Sequence, residues 1–387
     1  MVSMSILINA SNLHVGGGVQ VAASFIYELT VLPSLPSCLA VWMSTEVEQN
    51  LRSMGCDYSR LPACSVVDTF GLKLLLSPPL ARKLRAYDTV FTIFGPLYSW
   101  RQPKNSIVGF AQPWIIYPDN EIYRQLGWRQ RLSTHLKFWI QSIFYRRANL
   151  LVAELDHVKR GLVRSGVGRE DNIMVVHNCL SSLFLQRERW QPVEIPATTA
   201  GFKLGFLGRN YPHKNTAMLP LIHGVLKREH GLDVKFFVTF TDDEWATCGP
   251  EFRSAAVNVG PLSVAQCPAF YQAMDGIIFP SLLECFSATP LEAMAMERPL
   301  FASDRPFNRD VCGLHAQYFD PLDPAMAASV IANYIRRREI GGGELLAARE
   351  HALSFSNAAE RARQYLGYVV PGAARNRHAC GCRELSS

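Results

Sequence analysis

The sequence predicts an α/β protein built from two doubly wound, Rossmann-like domains. Three observations predict this fold class. Short apolar runs alternate with longer amphipathic stretches in both halves. The length of 387 residues suits two domains, and the Pro- and Thr-containing stretch at 191–201 is typical of a linker. Two such domains facing each other across a cleft would create a favoured position for a ligand site.

The apolar runs are the predicted strands, and their alternation with helical stretches implies βαβ units and parallel sheets. They are residues 5–10, 39–43, 89–94, 106–110, 150–153, 173–176, 203–207, 234–240, 276–279 and 299–302. The predicted domains are residues 1–195 and 201–355. A terminal helix is predicted at 356–370 and a disordered tail at 371–387.

A basic loop follows the predicted strand at 203–207. It carries Arg209 and Lys214 within the run Gly208-Arg209-Asn210-Tyr211-Pro212-His213-Lys214-Asn215. Arginine grips phosphate oxygens through its planar fork, and lysine does so as a point charge. Because both cations follow a buried strand, the loop predicts diphosphate binding. The acidic run at 242–244 is interpreted as a solvated turn after a strand.

Two glutamates follow the predicted strand at 276–279. Glu284 lies in the loop at its carboxyl end, and Glu292 is predicted in the first turn of a helix with Pro290 at its first position. In open α/β sheets, ligands bind outside the carboxyl ends of the strands. A helix N-terminus suits a phosphate, and carboxylates accept hydrogen bonds from sugar hydroxyls. The segment therefore predicts a ligand that carries both phosphate and hydroxyl groups.

Three glycines, Gly16 to Gly18, follow the first predicted strand. They would allow a ligand to approach the backbone N–H groups closely. A simple flexible turn is the alternative, because the spacing is not that of the dinucleotide fingerprint.

Together these segments resemble the retaining glycosyltransferases of family four, which have the GT-B fold, over residues 4–368. The glycine loop at 16–18 matches the family's first glycine loop. The motif matches in the second half are Gly208, Arg209, Lys214, Asn215, Pro280, Ser281, Glu284, Glu292 and Ala293. The chain departs from the pattern at Cys285, Ser287 and Glu297, where the family often has glycine.

The resemblance implies a role for each matching residue. Arg209, Lys214 and Glu284 would be catalytic, the two cations on the donor diphosphate and Glu284 near the donor sugar. The implied donor-binding residues are Gly17, Gly18, Phe286, Ser287 and Glu292, the last of these on the ribose. The resemblance also implies a nucleotide-sugar donor, retention of anomeric configuration, no metal or other cofactor, and a terminal helix that packs on the first domain. The sequence shows no convincing cluster with metal-ligand spacing.

The excess positive charge lies in the first half. Residues 1–200 hold 20 Lys and Arg against 14 Asp and Glu, whereas the remainder holds 19 of each. The segment 122–153 has no acidic residue and carries six basic and six aromatic side chains. Such residues on an amphipathic helix suit an anionic membrane surface. The alternative is an ordinary helix packed on the sheet with its basic face in water. No nucleic-acid motif accompanies the segment, so nucleic acid is disfavoured.

These features predict a hexosyl or deoxyhexosyl transferase acting on a lipid-linked saccharide bound by the first domain, as in O-antigen-like polysaccharide synthesis. The chain lacks a long apolar run or signal sequence, and its ten cysteines are scattered. We therefore expect a cytoplasmic protein peripherally associated with the inner face of the membrane. Two alternatives stay open, namely a nucleotide-sugar epimerase of the same fold and a catalytically degenerate, membrane-associated assembly subunit.

Overall fold

The computed structural model describes residues 4–337 and 342–370, so the predicted tail at 371–387 lies outside the described residues. The chain forms two compact units. The first comprises the residues up to Ile116, Arg129–Asn178 and the chain from Asn357. The second comprises Tyr117–Trp128 and Cys179–Ser356.

The first unit contains a sheet of seven parallel strands in the order β3-β2-β1-β4-β5-β6-β7. The strands are β1 (Ile6–Ala10), β2 (Leu39–Met43), β3 (Ala63–Val66), β4 (Thr89–Thr92), β5 (Asn105–Phe110), β6 (Leu150–Ala153) and β7 (Ile173–Val175). The helices along this part of the chain are α1 (Gly17–Val31), α2 (Thr45–Ser53), α3 (Pro78–Arg85), α4 (Pro113–Ile116), α5 (Glu121–Gln125), α6 (Trp128–Tyr145) and α7 (Asp156–Arg164). Short 3₁₀ helices lie at Tyr58–Arg60, Gly71–Leu76 and Glu170–Asn172.

The second unit contains a sheet of six parallel strands in the order β10-β9-β8-β11-β12-β13. The strands are β8 (Phe202–Phe206), β9 (Val234–Val238), β10 (Ala256–Asn258), β11 (Gly276–Phe279), β12 (Leu300–Ser303) and β13 (Gln317–Phe319). The helices are α8 (Met218–His230), α9 (Asp242–Ala246), α10 (Pro250–Ala255), α11 (Cys267–Ala273), α12 (Ala288–Ala295), α13 (Pro306–Cys312), α14 (Pro324–Arg337) and α15 (Gly342–Ser354), and α16 (Ala358–Val369) follows in the first unit. Short 3₁₀ helices lie at Ser182–Leu185, Arg187–Arg189 and Pro212–Lys214.

Both sheets are doubly wound, which confirms the predicted fold class. The strand order reverses between β1 and β4 in the first sheet and between β8 and β11 in the second. All ten predicted strands are present, with ends within two residues of the prediction. Three further strands, β3, β10 and β13, were not predicted. Within the described residues, no helix combines the length and apolarity that crossing a bilayer requires.

The units divide the chain differently from the predicted boundary at residue 195. Residues 179–200 group with the second unit, where backbone groups of this segment form hydrogen bonds with Ala265 and Gln266. The amide of Gln191 donates to the carbonyl of Ala265 at 2.9 Å, and the side-chain amide of Gln266 donates to the carbonyl of Pro192 at 3.2 Å. The segment Tyr117–Trp128 also belongs to the second unit.

The helix α16 completes the core of the first unit. Ala362, Tyr365 and Val369 are buried against α1 and the sheet. The ring of Tyr365 lies 5.1 Å from the ring centroids of both Phe25 and Phe91. The terminal segment is thus part of the apolar interior that the N-terminal strands build.

A buried arginine anchors α16 by polar contacts. Arg361 is 1% exposed. Its guanidinium donates to Asn178 Oδ1 and, at 3.0 Å, to Ser24 Oγ. Asn178 Nδ2 donates in turn to Glu154 Oε1 at 2.8 Å. The network joins α16 to α1 and to the segments that follow β6 and β7.

Replacing Arg361 by alanine should lower the stability of the first unit by about 2–4 kcal/mol, because buried acceptors lose their charged donor. Hydrogen exchange of amides in α1 and α16 under increasing urea measures the effect on that unit. Arg363→Ala, at an exposed position of the same helix, is the matched control and should change stability by less than about 0.5 kcal/mol. Equal losses in the two variants would contradict the assignment.

Candidate active site

The loops that follow β8 and β11 carry the predicted residues of the second unit. These strands are neighbours, with Gly205 opposite Ile277, and the strand order reverses between them. Because the strands are parallel, both loops leave the same edge of the sheet. This reversal point is where doubly wound sheets bind ligands.

The structure brings together two of the three predicted catalytic residues. Lys214 Nζ lies 2.6 Å from Glu284 Oε1, and both side chains are largely shielded from solvent, with exposures of 15% and 12%. Lys214 Nζ also lies 5.1 Å from the ring centroid of Phe279. A lysine ammonium has three donors, so the contact with Glu284 leaves donors for a ligand.

Local backbone geometry holds the two loops together. Asn215 has a left-handed conformation with φ of 56°, and its side-chain amide donates to the carbonyls of Pro280 at 3.3 Å and Pro321 at 2.8 Å. The amide of Leu282 donates to the carbonyl of His213 at 2.8 Å. Burial lowers the pKa of His213, so this imidazole is neutral near pH 7 and adds no charge beside Lys214.

The third predicted catalytic residue, Arg209, is paired elsewhere. Its Nε donates to Glu244 Oε1 at 2.8 Å, and its side chain is 51% exposed. The interpretation of residues 242–244 as a solvated turn is therefore wrong for Glu244. Glu244 is the third residue of α9 and forms a capping box with Thr241. The Thr-x-x-Glu spacing is the sequence signal that would have found this helix start.

Phe286 and Ser287 lie in the loop between β11 and α12 and are half-buried. Their backbone N–H groups donate to no group within the residues that the structure covers. They therefore offer two hydrogen-bond donors close in sequence to Glu284, and the predicted part of these residues in donor binding stays a prediction.

The helix α12 begins two residues earlier than predicted. It starts at Ala288, with Ser287 at the N-cap. Pro290 is therefore its third residue and not its first, and Glu292 lies in the second turn. Proline is tolerated there because the first turn of a helix has no intrahelical acceptors for its N–H groups.

Glu292 is held by a tyrosine that the sequence did not indicate. The hydroxyl of Tyr271, a fully buried residue of α11, donates to Glu292 Oε2 at 2.7 Å. Burial raises the pKa of Glu292 to about 7, and the hydrogen bond from Tyr271 opposes this increase. A protonated carboxyl group can both donate and accept hydrogen bonds. The predicted contact with a ribose stays a prediction.

Gly17 and Gly18 belong to the first unit, where they are the first two residues of α1 and not a loop before it. Gly16 is the N-cap and has φ of 74°, a conformation that favours glycine. Gly17 is exposed, and a Cβ at that position would meet nothing within 4 Å. Their part in donor binding stays a prediction.

One group of potential metal ligands occurs among the described residues, formed by His14, Glu46 and Asp68. His14 Nδ1 lies 2.7 Å from Glu46 Oε2, and His14 Nε2 lies 2.9 Å from the carbonyl oxygen of Thr69. Both ring nitrogens thus face acceptors. Although burial alone would lower it, these hydrogen bonds raise the pKa of His14. The raised pKa favours the imidazolium form, in which both ring nitrogens donate to the acceptors they face.

The pKa of Glu292 predicts a pH-dependent stability. The pKa of about 7 in the folded protein exceeds the ordinary value of 4.5, so the folded state binds this proton more tightly than the unfolded state does. The resulting contribution to the free energy of unfolding is fully present below about pH 4.5 and is lost as pH rises through 7. The loss is at most about 3 kcal/mol. Glu292→Gln should therefore flatten the fall in melting temperature between pH 5 and 8. Glu251→Gln, at an exposed position, is the control, and an unchanged pH profile in Glu292→Gln would contradict the assignment.

Comparison with known proteins agrees with this architecture. Residues 201–337 match the family model described as Glycosyl transferases group 1. No curated protein sequence matches the chain.

Several solved structures share the fold at low sequence identity. HepE from Anabaena, in complex with UDP and glucose, has a TM-score of 0.66 and 14% identity, over 94% of this chain and 99% of its own. A glycosyltransferase from Rickettsia africae has a TM-score of 0.67 and 13% identity, over 95% and 99%. Sucrose-phosphate synthase from Thermosynechococcus elongatus has a TM-score of 0.64 and 13% identity, over 98% and 100%. The chain therefore has the GT-B fold, and its residues 201–337 are similar to the glycosyltransferase group 1 family.

Proposed function

We propose that the protein transfers a hexosyl or deoxyhexosyl group from a nucleotide-sugar donor to a lipid-linked saccharide, with retention of anomeric configuration and without a metal ion. One observation carries the proposal. At the strand-order reversal of a glycosyltransferase group 1 domain, the paired Lys214 and Glu284 lie on the same two loops as the unpaired backbone donors of Phe286 and Ser287.

The proposed reaction needs charge stabilisation more than a nucleophilic side chain. The bond between the anomeric carbon and the diphosphate oxygen breaks, and the acceptor hydroxyl oxygen bonds to that carbon. The hydroxyl proton passes to the departing nucleoside diphosphate. Lys214 and Arg209 stabilise the negative charge that develops on the diphosphate. Such electrostatic stabilisation is usually the largest contribution to catalysis of this kind. The two cations take the part that a metal ion plays in other enzymes.

The donor proposal draws on the GT-B neighbours. HepE from Anabaena has been crystallised with UDP and with UDP-glucose, so UDP-glucose is the first donor to test. The carboxyl group of Glu292 would bind the ribose hydroxyls, and Glu284 would face the sugar. Retention is supported by the resemblance of the Glu284 and Glu292 segment to family four.

The acceptor proposal rests on α6, which belongs to the first unit from Arg129 onward. Four large apolar residues on this helix are exposed, namely Trp128 (73%), Leu132 (64%), Leu136 (53%) and Trp139 (59%). Their spacing of four, four and three residues places them on one face of the helix. The six basic residues of the segment 122–153 are also exposed, and Arg129, Arg131 and Lys137 lie on the same helix. An exposed apolar stripe with basic neighbours suits an anionic membrane surface.

The aromatic residues of that segment divide between two roles. Tyr123, Phe138, Phe144 and Tyr145 are buried, so they stabilise the fold and cannot meet a membrane. The exposed stripe is built by the two tryptophans together with two leucines. Replacing the buried aromatic residues would lower the stability of the fold, whereas replacing the exposed stripe would lower binding to lipid.

A groove beside the stripe supports a lipid-linked acceptor. It lies between α6 and the 3₁₀ helix Gly71–Leu76, and its apolar walls include Leu72, Tyr98 and Ile140. Lys73 and Lys137 also line it, and no acidic side chain does. Apolar walls with two cations suit a hydrocarbon chain that ends in a phosphate.

Purified protein should show a clear, EDTA-insensitive rise in melting temperature with one class among UDP-, GDP- and dTDP-sugars, because a ligand that binds the folded state stabilises it. Lys214→Ala should abolish the shift and lower turnover by at least about 100-fold. Lys227→Ala, at an exposed position of α8, is the control. Unchanged turnover in Lys214→Ala would remove the diphosphate assignment.

The same experiment separates the alternatives. Conversion of the sugar to its epimer without an acceptor would identify an epimerase. A folded protein that binds none of the donors, with or without acceptor lipid, would fit a non-catalytic assembly subunit.

The protein should float with vesicles that contain phosphatidylglycerol and not with pure phosphatidylcholine vesicles. Replacing Leu132 and Trp139 together by aspartate should reduce flotation at least about tenfold, since apolar area and basic attraction both contribute. Leu314→Asp, at a residue that is 91% exposed in the second unit, is the control. Failure of the unaltered protein to float would exclude the membrane part of the proposal.

A further inference from the structure

The carboxylate of Glu244 is saturated by hydrogen bonds from two segments. Oε1 accepts from Arg209 Nε at 2.8 Å and from the amide of Asn210 at 3.1 Å. Oε2 accepts from the amide of Thr241 at 3.0 Å and from its hydroxyl at 3.2 Å. The side chain of Glu244 is 15% exposed, against 51% for Arg209. A shielded anchor therefore holds a more exposed guanidinium.

The contact leaves the terminal nitrogens of Arg209 available. Only Nε is bonded to Glu244, and Nη1 and Nη2 donate to no group in residues 4–337 and 342–370. The guanidinium is planar, so a bond at Nε fixes the direction in which the two terminal nitrogens point. Those nitrogens are the fork with which arginine binds phosphate oxygens.

Glu244 also holds the loop itself. Through the amide of Asn210 it ties the β8 loop to the start of α9, which follows the neighbouring strand β9. The amide of Gly208 donates to Thr239 Oγ1 at 3.0 Å, and the hydroxyl of Thr216 donates to Asn210 Oδ1. The loop that carries both proposed phosphate-binding cations is thus held by the segment that follows β9.

We propose that Glu244 is a positioning residue that orients the guanidinium of Arg209 toward the diphosphate of the donor. The inference rests on the proposed function, because it takes Arg209 to be a diphosphate ligand. The proposal and an argument from charge alone predict opposite effects of removing the charge of Glu244. If Glu244 only neutralised Arg209, removal of its charge would strengthen the binding of an anion. If Glu244 orients Arg209, the same change weakens binding.

Glu244→Gln distinguishes the two, since glutamine keeps the length of the side chain but has one oxygen acceptor in place of two. Calorimetric titration with UDP, GDP, dTDP and inorganic diphosphate should show a dissociation constant about 5–10-fold weaker than that of the unaltered protein. In an Arg209→Ala background, Glu244→Gln should change the constant by less than about twofold, because the effect passes through Arg209. Tighter binding, or equal losses in both backgrounds, would overturn the inference.

Glu360→Gln is the matched structural control. Glu360 occupies the same position of a capping box, with Asn357 at the start of α16, and lies in the first unit. Because the exposed Glu360 carboxylate accepts one hydrogen bond, from the amide of Asn357, Glu360→Gln should lower the melting temperature less than Glu244→Gln and should leave diphosphate binding unchanged. If Glu244→Gln does not fold, Glu244→Asp provides the second test. Aspartate keeps the charge but is one methylene shorter, so the same weakening is expected, and undiminished binding would overturn the inference.

The outcomes separate this inference from the proposed function. If the unaltered protein binds none of the four diphosphates, or if Arg209→Ala binds them equally well, the assignment of Arg209 to the diphosphate fails. If Arg209→Ala weakens binding and Glu244→Gln does not, only the positioning role of Glu244 fails.

Discussion

The parallel direction of the strands is the constraint on which the candidate site depends. All strands of the second sheet end at one edge, and the strand order reverses between β8 and β11. The connections that follow these two strands run to opposite faces of the sheet, so a crevice opens between their loops. This explains why Lys214 and Glu284, which are 70 residues apart in sequence, meet at 2.6 Å. The motif is separated in the chain and assembled by the topology.

The charges of the two loops are balanced before any ligand is present. Each cation of the β8 loop faces a carboxylate, Lys214 with Glu284 and Arg209 with Glu244. The second half of the chain is neutral overall, whereas the first carries the positive excess. A polyanionic donor would therefore be recognised at short range by oriented hydrogen-bond donors. Any long-range attraction to an anionic surface would come from the first half.

The sequence predicted the strands that are buried on both faces, because these form continuous apolar runs. The strand β1, for example, is buried at all five residues. The strands that escaped prediction, β3, β10 and β13, are three of the four outermost strands of the two sheets and have only three or four residues. Edge strands bury less surface, so their apolar pattern is weak.

The same distinction applies to the site. Lys214 and Glu284 could be predicted because each lies in the loop that follows a buried strand. The bond between Tyr271 and Glu292 joins α11 to α12, which are distant in the local sequence pattern, so no local pattern reveals it. Likewise, the composition of the segment 122–153 predicted an amphipathic helix, but its phase against the sheet decides that Phe138 is buried and Trp139 is exposed.

The return of α16 to the first unit has a consequence for the order of synthesis. Residues 357–370 are translated after the whole of the second unit, yet Tyr365 packs against both Phe25 and Phe91 in the first core. A ribosome that has released the chain only as far as residue 356 holds a first unit whose central aromatic cluster is still open to water. Domains usually fold in the order of their synthesis. Here the unit that is begun first is the one that is finished last.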